Sequence, residues 1–427
     1  MKAAFYTLGC KVNQYETQIM EQRLKEAGYE IVPPDSFADV YIVNSCTVTA
    51  ESDRKTRQIL RRLKSHNPDA ITVLSGCFPQ SAVERASKME EADIIAGTKE
   101  RAEIVNLIDE RIKTGKRIVS VSSYNRHEAF EPMRAESFYG RTRAFVKIED
   151  GCESYCSYCI IPKARGPVRS KPPEDIKTEL QGLSEKGYKE AVLVGIDLSS
   201  YGKDCGLSLV DALKAACSTD IQRIRLGSLE PNVITEEFVE TVIALKKVCP
   251  HFHLSLQSGC AATLKRMNRR YTPERYKEAV ELLRERIPSC AITTDIIVGF
   301  PGETEEEFNE SLRFAREIGF SQAHVFPYSK REGTRAAKMP GQISKAEKAR
   351  RGHIMAEECR KSRAKFLESH VGKTYPVLFE AGENGGFEGF TPDYVPVKVN
   401  TEKDLHGKIV DTKITGWNAD GCFGTVE

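Results

Sequence analysis

Gly151-Cys152-Glu153-Ser154-Tyr155-Cys156-Ser157-Tyr158-Cys159 sets three thiols in one glycine-led loop, spaced C-x3-C-x2-C. The loop directly follows residues 145–149, a short apolar run that reads as a strand. Ligand loops of α/β folds lie at the C-terminal ends of strands, so coincidental core cysteines are a poor account of it. Thiolate is the ligand of iron–sulfur clusters. Three cysteines on a four-iron cluster leave one iron open, able to chelate a substrate through an amine and a carboxylate. Zinc is the competing reading, but a structural zinc site is closed by four ligands. No His or fourth Cys follows at zinc-like spacing, the next cysteine being Cys205.

Outward from the loop, strand-like runs recur at 191–195, 223–227, 253–257, 292–298 and 323–327. Amphipathic helices fit between them, for example 173–186 with prolines at its start and 305–318 with Gly319 after it. Six β/α units are fewer than the eight of a closed barrel, so a partial, open-sided (β/α)6 barrel is expected.

Upstream the chain alternates in the same way. Strands are expected at 3–8, 40–44, 71–75 and 93–96, and helices at 14–27, 52–65, 81–88 and 100–113. That pattern gives an open parallel sheet. Cys10, Cys46 and Cys77 each lie just past one of these strands. The C-terminal ends of parallel strands share one edge, so the three thiols can converge despite irregular spacing. They could equally be buried small hydrophobes, which is what free cysteine usually is. Residues 115–140 read as a polar linker.

Residues 344–369 form a long polar helix carrying Lys345, Lys348, Arg350, Arg351, Arg360, Lys361, Arg363 and Lys365. The tail beyond it is rich in glycine and β-formers and reads as a small all-β module. The expected domains are 1–115, 138–367 and 370–427. The helix's basic residues, with Arg54, Lys55, Arg57, Arg61, Arg62 and Lys64, could contact phosphates or simply form solvated faces.

Overall charge does not decide between these. The 427 residues hold 63 basic and 61 acidic side chains, a net +2, so any basic surface is local. No membrane span or export signal is visible, and a cytoplasmic protein is expected. In that reducing setting the 13 cysteines are ligands, reactive groups or core filler rather than disulfides.

The C-x3-C-x-aromatic-C loop, with Tyr158 in the aromatic slot, resembles the radical S-adenosylmethionine (SAM) superfamily. The resemblance implies that Cys152, Cys156 and Cys159 bind a [4Fe-4S] cluster whose fourth iron binds SAM. It also implies that Gly195, Ser255 and Gln257, with Tyr158, lie near SAM. Thr7-Leu8-Gly9-Cys10-Lys11-Val12-Asn13-Gln14-Tyr15, Asn44-Ser45-Cys46-Thr47 and Ser75-Gly76-Cys77 are similar to the N-terminal domain of the radical SAM methylthiotransferase family. There Cys10, Cys46 and Cys77 hold a second [4Fe-4S] cluster that carries the sulfur to be inserted. The tail resembles that family's tRNA-binding TRAM barrel.

What the resemblance implies is methylthiolation of a tRNA base. One SAM methylates a sulfur at the second cluster, and another yields an adenosyl radical that takes a hydrogen from C2 of an adenosine. The partners would be the tRNA anticodon loop, an electron donor and a sulfur source. The segments after Cys10 and after Cys159 look most like the branch acting on N6-threonylcarbamoyladenosine. Sister branches act on isopentenyladenosine or on a ribosomal-protein aspartate, and a zinc-stabilised RNA-binding protein is the non-enzymatic alternative. Near the loop, Lys163, Arg165 and Arg169 could meet a charged substituent, bind phosphates or pair with acids.

Overall fold

The computed structural model describes residues 1–126, 128–138, 141–380, 382 and 386–426. Residues 127, 139 and 140 of the expected linker, and 381, 383–385 and 427 of the tail, lie outside the described residues.

The N-terminal sheet has six parallel strands in the order β2-β1-β3-β4-β5-β6: β1 Lys2–Thr7, β2 Glu30–Val32, β3 Val40–Ser45, β4 Ile71–Gly76, β5 Ile94–Ala96 and β6 Ile118–Ser120. Four of these were legible as apolar runs. The edge strands β2 and β6 are three residues each and too short to show a period. The helices α1 (Lys11–Glu26) and α2 (Ala50–His66) follow β1 and β3. The helix expected over 81–88 is instead two short ones, α3 (Cys77–Ser81) and then Val83–Ser87, broken at Ala82.

The second unit is an open barrel of parallel strands. One sheet runs β11-β10-β7 and the next β12-β13-β14-β15. The strands are β7 Arg143–Lys147, β10 Glu190–Val194, β11 Arg223–Leu226, β12 Ser228–Leu229, β13 His251–Leu254, β14 Ala291–Val298 and β15 Gln322–Pro327. β11 and β12 are one path interrupted at Gly227, so the six expected strands are all present. A short antiparallel pair, β8 (Glu149–Asp150) with β9 (Arg169–Ser170), brackets the cysteine loop. The helix Glu305–Ile318 matches its expected bounds because both ends are signalled: a Thr304/Glu307 capping box opens it and left-handed Gly319 closes it.

Outward strand faces carry Ala144, Val146, Ala191, Leu193, Ile224 and Leu226, packed with Ile176, Leu180 and Leu213 of the surrounding helices. Each of the fully buried Val, Leu and Ile side chains contributes about 1.5–3 kcal/mol. The same core takes in Val12, Tyr15 and Ile19 of α1 and Met133, Ala135 and Phe138. The segment read as a polar linker therefore supplies core residues. The Tyr15 hydroxyl seals it, donating to the Met133 carbonyl at 3.1 Å and to Glu179 at 3.0 Å.

The tail is a closed five-stranded barrel, β16-β17-β18-β20-β19: β16 Thr374–Phe379, β17 Gly386–Phe390, β18 Pro396–Asn400, β19 Ile409–Trp417 and β20 Cys422–Val426. Its turn 391–395 packs onto the starts of the large barrel's strands. Arg225 donates to the Pro392 carbonyl at 2.8 Å and the Thr391 carbonyl at 3.3 Å. Tyr394 packs against His251, the rings tilted with centroids 4.9 Å apart, under the guanidinium groups of Arg143 and Arg225. Among the described residues, no helix is long and apolar enough to cross a membrane.

Candidate active site

The three N-terminal cysteines meet at one sheet edge. Cys10 is the residue before α1, Cys46 follows β3, and Cys77 opens α3 after β4. Asn13 ties their loops together: its side-chain amide donates to the carbonyls of Leu8 and Ser45, each at 3.1 Å. Its oxygen accepts from the Cys10 thiol at 3.5 Å. Ser45 reaches the Ser75 carbonyl at 2.6 Å, joining the second loop to the third. Gly9 is required here, at φ +116°, because a Cβ would sit 2.8 Å from the Cys46 Cβ. Burial pushes the Cys77 thiol up to about 12, with Arg165 pulling the other way and Cys46 and Cys10 close enough to add to the rise. Cys10 touches solvent, yet protein walls most of its surroundings, and its thiol is raised for the same reason.

The second set lies across a short gap. α3 packs against the helix Ile161–Arg165, which begins just after Cys159. Gly151, at φ +90°, lets the loop pass Pro167, whose carbonyl oxygen a Cβ would meet at 1.9 Å. Backbone N–H groups of Ser154 and Ile161 donate to the sulfurs of Cys152 and Cys159, each at 3.4 Å. Arg269 donates to the Cys156 sulfur at 3.2 Å and pairs with Glu230 at 3.0 Å. Burial pushes Cys152 and Cys159 up to about 12. Among the described residues, no group of three or more His, Cys, Asp or Glu side chains is set to hold a single metal ion. A four-iron cube is a different demand, since each thiolate takes its own corner.

Between the two sets runs a buried ionic network. Glu16, fully buried, meets Lys147 at 3.1 Å, Arg101 at 3.3 Å and Arg165 at 3.0 Å. Asp150 meets Lys147 at 3.2 Å, Arg169 at 3.1 Å and Arg165 at 3.4 Å, and Glu131 pairs with Arg101. Arg101, Lys147, Arg165 and Arg169 thus face Glu16, Glu131 and Asp150, one cation in excess. Arg165 turns that excess toward the N-terminal cysteines. It donates to Asn13 at 3.0 Å, and its Nε is buried without a hydrogen-bond partner. Burial opposes its charge, but Cys77, Glu16 and Asp150 outweigh that and hold its pKa well above the ordinary value. Three cysteines, an excess positive charge and an orphaned donor fit a group that brings anionic sulfur. Arg165 and Arg169 are therefore spent on acids and are not offered to a substrate, while Lys163 stays exposed.

A model described as "Radical SAM superfamily" matches residues 146–315, and one described as "Uncharacterized protein family UPF0004" matches residues 2–97. The chain is 40% identical to the threonylcarbamoyladenosine tRNA methylthiotransferase MtaB of Bacillus subtilis, covering 96% of this chain and 93% of that one. The chain belongs to the radical SAM methylthiotransferase family. The namesake protein of Aquifex aeolicus is 37% identical over 96% of this chain and 99% of its own. A tRNA-2-methylthio-N(6)-dimethylallyladenosine synthase of Natranaerobius thermophilus is 35% identical over 99% and 96%. Among solved structures, the methyltransferase TsrM of Kitasatospora setae aligns with a TM-score of 0.56 at 15% identity, over 76% of this chain and 72% of that one, a likeness of fold. As a radical SAM methylthiotransferase the chain is an enzyme, and its radical SAM domain implies a [4Fe-4S] cluster and SAM.

The methylthiotransferase barrel holds the other expected positions as follows. Tyr158 packs edge-on to Phe300, centroids 6.3 Å apart, behind the cysteine loop. Gly195 directly follows β10, and a Cβ there would meet Glu149 Oε2 at 2.6 Å. The Ser255 hydroxyl shares a hydrogen bond with that of Ser228 at 2.8 Å. Gln257 adopts φ +65°, a conformation few non-glycine residues accept, and bridges to Ile296 of β14. Sequence reasoning missed Glu16, Arg101, Lys147 and Asp150 of the network, and Arg269, which is 113 residues from the cysteine it touches. It also missed the half-open wall on β13–β15, where His253 and Asp295 approach to 3.5 Å beside exposed His324 and Phe326. The basic residues once weighed as phosphate contacts are largely paired. Arg350 and Arg351 meet Glu305 and Glu347, Arg360 meets Glu357, and Arg54, Arg61 and Lys64 meet Glu51, Glu91 and Asp93.

Proposed function

We propose that this enzyme places a methylthio group on C2 of N6-threonylcarbamoyladenosine beside the tRNA anticodon. The observation that carries the reading is the full-length likeness to enzymes of that name. In it, residues 1–115 carry the sulfur site, 138–367 cleave SAM and 370–427 grip RNA. Cys152, Cys156 and Cys159 would hold the SAM-cleaving cluster, and Cys10, Cys46 and Cys77 the second one. Once bound, these groups supply one-electron cleavage of SAM and the sulfur for transfer. The chain's own part is placement. Tyr158, Gly195, Ser255 and Gln257 would border SAM, and the N-terminal domain packs against the barrel's loops beside the cysteines, which would limit water's access. Buried pairing of Arg331 with Asp53 at 2.7 Å and of Thr98 with the Ala164 carbonyl at 3.1 Å supports that packing. A single-stranded anticodon loop can splay its base into such a site. The cytosol is the proposed location.

Nucleoside mass spectrometry of tRNA from cells lacking the gene tests the reading. Loss of the 2-methylthio-threonylcarbamoyl nucleoside with its precursor accumulating is expected; loss of the isopentenyl derivative instead, or a mass change only in a ribosomal protein, rejects the branch.

Arg269 gives a second expectation. A guanidinium on the Cys156 sulfur favours the more negative, reduced cluster. Arg269→Gln should therefore lower the midpoint potential in a redox titration followed by electron paramagnetic resonance. An unchanged midpoint would show that the contact leaves the cluster's electronics alone.

A further inference from the structure

Past β15 the chain leaves the barrel wall as a strap, residues 328–336, that touches both cysteine sets. A turn in it is closed by Thr334, whose N–H donates to the Arg331 carbonyl at 3.2 Å and whose hydroxyl donates to the same oxygen at 2.7 Å. Gly333 supplies the φ of +86° in that turn. Arg331 reaches from the strap into the N-terminal domain. Its guanidinium grips Asp53 of α2 with two hydrogen bonds, at 2.7 and 3.0 Å, and donates to the Thr47 hydroxyl. Thr47 follows Cys46. It donates to Asp53 at 3.2 Å and accepts from Ser81 at 3.3 Å, on the short helix that Cys77 opens. Arg331, Asp53 and Thr47 are all buried. Beside them the Ala50 N–H, at the start of α2, donates to the Ser329 hydroxyl at 3.3 Å.

The far end of the strap holds the other set. The Ala336 N–H donates to the Ser157 carbonyl at 2.8 Å, between Cys156 and Cys159, and Arg335 donates to the Tyr155 carbonyl at 3.1 Å. One short segment thus holds a loop of each set, and none of these contacts needs a bound group. A buried two-pronged guanidinium–carboxylate pair fixes direction as well as distance. Packing alone would not fix it here. A cavity of about 280 Å³ adjoins the clasp, lined by Ser81, Arg85, Ile160, Lys163, Arg331 and Gly333, which leaves the N-terminal loops room to shift. Reactions between two held groups are steep in their separation, and a displacement of about 1 Å costs roughly a hundredfold in rate.

We propose that Arg331 is a positioning residue that, through the strap, sets the Cys10/Cys46/Cys77 site at a fixed distance from the Cys152/Cys156/Cys159 site and so couples radical formation to sulfur transfer. This rests on the two-cluster reading above and adds the residue that holds the two sites in register.

Arg331→Gln is the test. Asp53 keeps Arg85 at 2.7 Å, so no buried acid loses its last cation and the chain should fold. In the full chain before clusters are reconstituted, hydrogen exchange read by mass spectrometry should rise over residues 46–56 and stay unchanged in β4. In the reconstituted enzyme, still holding about eight irons per chain, electron paramagnetic resonance of the doubly reduced state should show a weaker magnetic interaction between the clusters. SAM cleavage without RNA should persist, while the 5′-deoxyadenosine formed per methylthiolated base rises on the order of tenfold. Arg331→Lys keeps the charge but not the fork, and should fall between. If Arg331→Gln fails to fold, Asp53→Asn combined with it removes both charges and makes the same comparison. Unchanged exchange over 46–56 overturns the inference, as do an unchanged magnetic interaction and product ratio. Those results in an enzyme with about eight irons remove Arg331 alone, whereas a wild type with only about four removes the two-cluster reading and the inference with it.

Discussion

Replacing Cys10, Cys46 and Cys77 together by alanine is expected to abolish methylthiolation while reductive cleavage of SAM persists. Iron should fall from about eight to about four atoms per chain, one cube instead of two. Replacing Cys152, Cys156 and Cys159 should stop SAM cleavage altogether. The expectation follows from the architecture, since the first set hangs on β1, β3 and β4 and the second on the loop bracketed by β8 and β9. Each sits in its own backbone frame, so either can be emptied without dismantling the other. Methylthiolated product from the first variant would sink the assignment of the sulfur site.

The second large effect concerns stability. Glu16→Gln should destabilise the protein by about 3–5 kcal/mol, the usual result of breaking a buried ion pair by removing one partner. Glu16 is the hub on which Arg101, Lys147 and Arg165 converge. Without its charge, four buried cations would face only Asp150 and Glu131. Arg165→Met should cost less, because it leaves three cations facing three carboxylates. Chemical denaturation of the two variants checks the order, and the reverse ranking would reject the charge argument. The pH dependence has a fixed sign. Despite burial, Arg101, Arg165 and Lys147 lower the Glu16 carboxyl from 4.5 to about 2. A depressed acid stabilises the fold above its unfolded value and loses that contribution as pH falls through its folded one. The gap between wild type and Glu16→Gln should therefore narrow as pH drops from about 4.5 toward 2.

Local patterns made much of this legible. The C-x3-C-x2-C loop is contiguous, and its strand-end position was readable from one apolar run. That Cys10, Cys46 and Cys77 can converge was also legible, since parallel strands bring their ends to one edge whatever the spacing between them, but the same positions read equally well as buried small hydrophobes and only the family resemblance made them ligands. What escaped was everything set by tertiary packing. Glu16 sits three and four residues from Val12, Ile19 and Met20 on the apolar stripe of α1, and the cations that pair with it come from positions 101, 147 and 165. Met133, Ala135 and Phe138 are spaced too irregularly to show a period, so a core segment looked like a linker. Arg165 sits in a basic run that invited a substrate role, and its neutralising acids come from positions 16 and 150. Pairing across such separations leaves no mark in a single sequence.

The seat of Tyr394 on the strand beginnings bears on the timing of turnover. With the strand beginnings closed, traffic to the interior is confined to the strand-end side and the half-open wall on β13–β15. The reading above spends two molecules of SAM per product, so cosubstrate, its fragments and the RNA loop would share those routes. An RNA loop that arrives after the first SAM has been used and cleared would leave them free for that exchange.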